Sequence, residues 1–331
     1  MSILSLFRKS AQASCKIVFP EAEDERVLQA ARLAKDRKLA TPIFVGDKNR
    51  IEATAAKLKI KINDIQTIDI AKGIPKKYVD MYIRIRKVPE KLAERMLLNP
   101  LYLAALMVKM GEANCMIAGA VATSGDVITA ATGIIGLRKG ISVPSSFFIM
   151  EIPGYKGGEN GLLLFADSSV NIEPTAEQLA DIAITTANTA KELLGWTPRV
   201  AMLSFSTKGS AIHPRADKVI EATKIANKKA PSLAIDGEMQ GDTALVEATA
   251  MKKMKGKIGK VAGRANVLIF PDLDSGNIAY KLVQTLAKAN AYGPILQGFE
   301  KPISDLSRGA KVGDILGVIA VLSAWSKRGG K

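Results

Sequence analysis

The sequence predicts an α/β protein built mainly on parallel strands, and three observations carry that prediction. Short β-branched or apolar runs alternate with amphipathic helical stretches along most of the 331 residues, the pattern of strands joined by right-handed helical crossovers. The strand candidates are apolar throughout rather than alternating, which suits a sheet covered on both faces. Hydrophobic residues make up 47% of the chain and aromatics only 5%, so the core is aliphatic, as helices packed on a sheet require.

Taken in order, KIVF (16–19) reads as a strand, the amphipathic ERVLQAARLAKDRK (25–38) as a helix, PIFVGD (42–47) as a strand and NRIEATAAKLK (49–59) as a helix. CMIAGA (115–120), VAMLSFS (200–206), SLAIDG (232–237) and NVLIFPD (266–272) repeat the strand pattern, each followed by helical periodicity. The Gly- and Pro-rich IPGYKGGENG (152–161) reads as a loop near a domain junction, and AYGPILQG (291–298) as a second junction. These divide the chain into an α/β domain of 1–146 plus 293–331 and an inserted α/β domain of 147–292, with the cleft between them as the expected ligand site.

Composition narrows the function. A formal net charge of +15 fits nucleic acid, an anionic membrane or small polyanions such as phosphates and nucleotides. Few aromatics accompany the basic residues and no zinc-ligand or RNP-like pattern occurs, which argues against nucleic acid. Two distant cysteines, Cys15 and Cys115, fit a reducing cytoplasm better than a disulfide framework. The single histidine, His213, rules out a His-based metal cluster. The opening MSILSLFRKSAQ is too short in apolar residues for a signal peptide, and ILGVIAVLSAW (315–325) is eleven residues long where a bilayer span needs about 20. A soluble cytoplasmic protein with no membrane partner is expected.

Four stretches draw attention. GAVATSGDVITAATG (119–133) reads as strand, small polar loop and helix. Its backbone N–H groups and the hydroxyls of Thr123 and Ser124 could cradle an anion, or Ser124 or Asp126 could simply cap the helix. FSTKGSAIHPRADKV (205–219) lacks P-loop spacing, and His213, preceding Pro214, reads as a surface or capping residue at a helix start rather than a catalyst. MKKMKGKIGK (251–260) reads as a solvated helix end. DLSRGAKVGDIL (305–316) sets Ser307, Arg308 and Asp314 close together ahead of the last helix, which is either turn chemistry with a cap or a site.

Several blocks together decide between these. KIVFPEAEDERVL, FADSSVNIEPTAEQLADIA (165–183), MLSFSTKGSA (202–211), AIDGEMQGDTAL (234–245), GRANVLIFPDLDSGNIAYKLVQ (263–284) and GPILQGFEKPISDLSRG (293–309) resemble the phosphate acetyl/butyryltransferase family across nearly the whole chain. The resemblance implies a two-domain isocitrate/isopropylmalate dehydrogenase-like fold with an interdomain active-site cleft, and a homodimer. It also implies interconversion of acetyl-CoA plus phosphate with acetyl phosphate plus CoA, with neither metal nor nicotinamide cofactor. The family's Ser-Arg-Gly motif and following aspartate match Ser307, Arg308 and Asp314. Its CoA-side arginine matches Arg86. Two positions depart from the family pattern: Thr129 stands where an arginine is common and Ala122 where a histidine is. A phosphate propionyl- or butyryltransferase and a noncatalytic acetyl-CoA-binding module are the alternatives.

Ser307 has no histidine beside it in the sequence and Cys115 lies in an apolar strand pattern, so an acyl-enzyme is disfavoured against direct attack in a ternary complex. In that scheme Asp314 takes the CoA thiol proton, Arg308 steadies the phosphate and developing oxyanion, and Ser307 donates to the leaving group. A thiol near 8.5 and an exposed aspartate near 3.9 differ by roughly 6 kcal/mol, so Asp314 is expected in a partly desolvated cleft, with proton removal coupled to C–S bond formation.

Overall fold

The computed structural model describes Phe7 and residues 14–328, the side chains of 327 and 328 excepted. The rest of MSILSLFRKSAQ lies outside the described residues. The chain divides into two compact units, residues 1–138 with 299–331, and residues 139–298.

The first unit begins with β1 (Lys16–Phe19), α1 (Glu25–Asp36), β2 (Thr41–Gly46), α2 (Lys48–Lys57) and β3 (Gln66–Asp69). Three helices follow, α3 (Lys76–Arg86), α4 (Glu90–Leu97) and α5 (Pro100–Lys109), before β4 (Cys115–Ala118) and α6 (Ser124–Ile134). Local chemistry starts these helices. Asp24 caps α1, Asp47 caps α2 and Asn99 caps α5, each through its side-chain oxygen, which satisfies N–H groups that the first turn leaves unpaired. Buried Ile17, Val18, Phe19, Phe44, Val45 and Met116 fill the strands, as expected of a sheet covered on both faces.

The second unit contains β5 (Ser145–Glu151), β6 (Leu162–Ala166), α7 (Ala176–Thr189), β7 (Arg199–Leu203) and α8 (Pro214–Lys229). It continues through β8 (Ala234–Met239), α9 (Gly241–Leu245), α10 (Glu247–Lys253), β9 (Val267–Ile269), α11 (Leu273–Leu286) and β10 (Asn290–Gln297). Its strand order is β10-β5-β6-β9-β7-β8. The parallel pattern is broken here at one strand: β5 runs antiparallel to both β10 and β6. The reason is the Gly- and Pro-rich segment 152–161, which joins β5 to β6 without a helix, and a short helix-free connection reverses the chain.

That segment therefore lies inside the second unit and is not a junction. AYGPILQG is likewise mostly strand β10, whose register shifts between Tyr292 and Ile295 around Gly293 and Pro294, an irregularity that accommodates a proline without a ladder N–H. Because β5 and β10 pair with each other, the unit boundaries fall outside both strands, at 138/139 and 298/299, rather than at 146/147 and 292/293.

The chain then returns to the first unit as β11 (Ile303–Asp305) and α12 (Val312–Arg328). Strand order there is β3-β2-β1-β4-β11, with every pair parallel. The path runs from β1 outward through β2 to β3 on one side, and from β4 to β11 on the other. The order thus reverses between β1 and β4, and ligands of open α/β sheets bind at such a switch, beyond the carboxyl ends of the strands. α12 packs against α1 and buries Ile315, Val318, Ile319, Leu322 and Trp325. No described helix is long and apolar enough to cross a membrane.

Candidate active site

Three loops leave the carboxyl ends of β1, β4 and β11, and the sequence-selected Thr123, Ser124, Ser307, Arg308 and Asp314 all lie on them or on the helix turns that follow. The close approach of the second and third loops depends on Gly119, at φ +97°, where only glycine is comfortable. A Cβ at Gly119 would collide with the Asp305 carboxylate and lie 2.6 Å from the Leu306 nitrogen. The Leu306 N–H donates to the Ala118 carbonyl at 2.6 Å, so the two strand ends are tied at the point where the loops begin.

The loop after β4 corrects the anion-cradle expectation. Its three N–H groups already hold a carboxylate: Glu21 Oε2 accepts from Ala120 at 2.7 Å, and Oε1 from Val121 at 3.2 Å and Ala122 at 2.7 Å. The cap of α6 is Thr123, in a reciprocal capping box with Asp126. Its hydroxyl donates to Asp126 Oδ2 at 2.7 Å and accepts the Asp126 N–H at 3.2 Å. Thr123 therefore works as a cap, while Ser124 lies close enough to Asp305 to lower its pKa.

In the loop after β11, the Ser307 hydroxyl accepts the Gly309 N–H at 3.3 Å, leaving its own proton free to donate. Asp314 Oδ2 accepts the Lys311 N–H at 2.9 Å, closing the start of α12 from its first turn as in the acidic half of a capping box. Among the described residues nothing donates to the other oxygen, Oδ1, and no side chain hydrogen-bonds or ion-pairs with the exposed Arg308 guanidinium. A hydroxyl proton, one carboxylate oxygen and a whole guanidinium are thus uncommitted on one short loop. Asp314 itself is half-buried.

A neighbour missed in the sequence is the more buried acid. Asp305, the last residue of β11, is 1% exposed and its Oδ1 has no hydrogen-bond partner. Burial pushes its pKa up from 3.8 to about 6; Ser124 and Arg308 lower it and Glu21 raises it further. Glu21 and Arg26 were missed as well. Only the block KIVFPEAEDERVL signalled them, and nothing in its spacing shows that two of its charged side chains reach the loops after β4 and β11.

Arg86 and Thr129 lie along α6, away from its capped end. Arg86 ends α3 and donates from Nη1 to the Gly133 carbonyl at 3.3 Å. Gly133 is nine residues beyond Ser124, about 14 Å along a helix. Thr129 is exposed, four residues before Gly133 on one helix face. Arg86 therefore meets α6 near its far end, one turn beyond Thr129.

His213 is the cap of α8, its Nδ1 accepting the Arg215 N–H at 3.2 Å, as its place before Pro214 suggested. Cys115 is fully buried, and desolvation, with Cys15 adding to it, raises its thiol well above the usual value, so it is a poor nucleophile. Among the described residues no three His, Cys, Asp or Glu side chains gather as metal ligands would.

Residues 2–323 match the model of the phosphate acetyl/butaryl transferase family. The chain belongs to that family. It is 47% identical over 332 residues to a phosphate acetyltransferase of Thermoanaerobacterium thermosaccharolyticum, covering 99% of this chain and 100% of the relative. A phosphotransacetylase structure from Streptococcus pyogenes is 40% identical, with a TM-score of 0.90 and 99% of both chains covered. A more distant likeness, 12% identical with a TM-score of 0.55 over 95% of this chain and 99% of the other, is to a 4-hydroxythreonine-4-phosphate dehydrogenase from Klebsiella pneumoniae and shows the dehydrogenase-like fold alone. Membership makes the protein a transferase.

Proposed function

We propose that the protein transfers an acetyl group between coenzyme A and inorganic phosphate, acetyl-CoA plus phosphate exchanging with acetyl phosphate plus CoA. The observation that carries this reading is the loop after β11, where Ser307, Arg308 and Asp314 hold uncommitted polar groups between the sheet edge and α12.

In the direction of acetyl-CoA synthesis, Asp314 Oδ1 accepts the thiol proton of CoA as sulfur attacks the carbonyl carbon of acetyl phosphate. The S–H bond breaks, the C–S bond forms, and the carbonyl oxygen gathers negative charge. Arg308 lies against that charge and the phosphate, since a guanidinium matches phosphate oxygens in a bidentate fork. The carbonyl then re-forms, the C–O bond to phosphate breaks, and phosphate leaves with a hydrogen bond from Ser307. Proton removal coupled to C–S bond formation lessens the thiol–carboxylate mismatch, because no free thiolate has to accumulate. No acyl-enzyme is required: His213 caps a helix and Cys115 is sealed in the core.

CoA is long and carries its phosphates far from its sulfur. The face of α6 that carries Gly125, Thr129 and Gly133 at four-residue spacing supports a path for it, with Arg86 as the cation at the nucleotide end. Thr129 leaves that path one cation short of the family pattern, and the +15 charge supplies a general attraction for the phosphates instead. A homodimer is supported by an apolar stripe on α11, where Ile278, Leu282 and Leu286 are 55%, 52% and 77% exposed at four-residue spacing, a surface that monomers seldom leave bare. Residence in the cytoplasm is supported by two unpaired buried cysteines.

The test is thiol release from acetyl-, propionyl- and butyryl-CoA with and without phosphate. Phosphate-dependent release, fastest with acetyl-CoA, is expected. Release independent of phosphate overturns the reaction, and a faster rate with butyryl-CoA overturns the acetyl preference.

A further inference from the structure

Arg26, in the first turn of α1, reaches all three strand-end loops at once. Nε donates to Asp24 Oδ1 at 3.1 Å and Nη2 to Asp24 Oδ2 at 2.8 Å, a bidentate pair that sets the plane of the guanidinium. The second hydrogen of Nη2 goes to the Ala120 carbonyl at 3.0 Å, in the loop after β4. Nη1 donates to the Arg308 carbonyl at 2.6 Å and the Ala310 carbonyl at 3.1 Å, in the loop after β11. A guanidinium has five N–H donors, and all five are engaged by protein acceptors. Although its side chain is 32% exposed, Arg26 has no donor left for a substrate phosphate.

The anchor is itself anchored. Asp24 caps α1 by accepting the N–H groups of Arg26 and Val27 at 2.9 and 3.3 Å. Burial opposes ionisation of Asp24, but the hydrogen bonds from Arg26 and the backbone outweigh it and hold the carboxyl below its ordinary value. The clasp is therefore charged throughout the neutral range. Arg308, by contrast, has its backbone carbonyl gripped and its own guanidinium uncommitted. One arginine fixes the backbone from which the other acts.

We propose that Arg26 is a positioning residue for acyl transfer: it holds the Ser307–Arg308–Gly309 turn against the loop after β4, so that Ser307 and Arg308 meet the reacting phosphate in a fixed geometry. This rests on the acyl-transfer reading above. The planar fork is essential to the role. A lysine ammonium is a single point on a flexible stem and cannot keep the Asp24 plane while bonding carbonyls in two other loops.

The experiment compares the full-length protein with Arg26→Lys and Arg26→Ala in the phosphate-dependent thiol-release assay, with thermal unfolding of each. Misplacing a catalytic group by about 1 Å costs on the order of 100-fold, so Arg26→Lys is expected to lower kcat by about 10- to 100-fold while KM for acetyl-CoA and for phosphate stays within about threefold. The loss should be the same from pH 6 to 8, because the clasp does not titrate there. Added guanidinium ion should restore part of the activity of Arg26→Ala, while ammonium ion should not. Should the unsubstituted protein show no phosphate-dependent release, the acyl-transfer reading falls. Should it be active while Arg26→Lys, folded by its melting curve, keeps kcat within about threefold, or loses only KM, the positioning role falls. Arg26→Lys decides the matter even if Arg26→Ala does not fold.

Discussion

Each unit buries an aspartate at the carboxyl end of a strand, and the two are treated in opposite ways. Asp167, just after β6, is 3% exposed and saturated with donors. Its Oδ1 accepts from the Ser146 N–H and hydroxyl and from the N–H groups of Ser169 and Val170, and its Oδ2 from the backbone and side-chain nitrogens of Asn171. Asp305, at the end of β11, has an oxygen with no partner and a pKa pushed up by burial. A buried carboxylate ringed by donors is a structural pin; one left short of donors marks strain, and strain gathers where function needs it. Beside Asp305 lie Ser307, Arg308 and the three-loop clasp.

The largest expected effect is on the pin. Asp167→Ala strands several buried donors, and losing one side of such an arrangement costs about 3–5 kcal/mol, read as a lower urea midpoint at unchanged slope. A loss under about 1 kcal/mol would mean that Asp167 is no more structural than Asp305. Next come Arg308→Ala and Asp314→Ala, each expected to lower turnover by about 100- to 1000-fold with the melting temperature nearly unchanged, since Arg308 is exposed and Asp314 half-buried. Near-normal turnover in either variant removes that residue from the mechanism.

Asp305 itself should reveal its strain through pH. The folded state binds its proton more tightly than the unfolded chain, with a pKa of about 6 against 3.8. Its contribution to stability is therefore complete below about pH 4 and is lost as pH rises through about 6, a difference on the order of 3 kcal/mol. Asp305→Asn removes that slope, so the stability difference between variant and parent should shift in the variant's favour from pH 4 to pH 7 in urea titrations. A difference that does not vary with pH would mean that burial leaves the Asp305 carboxyl unstrained. The smallest effect is expected from Gly119→Ala, which meets both a positive φ and the Asp305 carboxylate and should cost about 1–3 kcal/mol. Pairing it with Asp305→Ala should recover part of that loss, since the two sites share one contact.

Much of the fold was legible because its signals are local. KIVF and CMIAGA are strands because apolar runs of that length suit a doubly covered sheet, and the amphipathic stretches 25–38 and 49–59 are helices because their apolar residues recur at helical spacing. The reversals at β5 were not legible: antiparallel pairing follows from which strand edge the chain meets after 152–161, and periodicity carries no information about partners. Within the site, Ser307, Arg308 and Asp314 could be picked out because they lie within eight residues of one another in a family motif. Glu21, Arg26 and Asp305 could not. Their roles depend on bonds to residues about a hundred to nearly three hundred positions away, or on a bond that is not made.

The sequence by itself determined the composition of the core, the starts of the first two helices and the family, because each of these is written in neighbouring residues. Tertiary structure alone decided that the loop after β4 holds Glu21 rather than an open cradle, that Arg86 bonds to Gly133 near the far end of α6, and that Arg26 binds three loops together. Those are facts of long-range geometry, set when parallel strands bring their carboxyl ends to one edge and force distant polar groups to satisfy one another away from water.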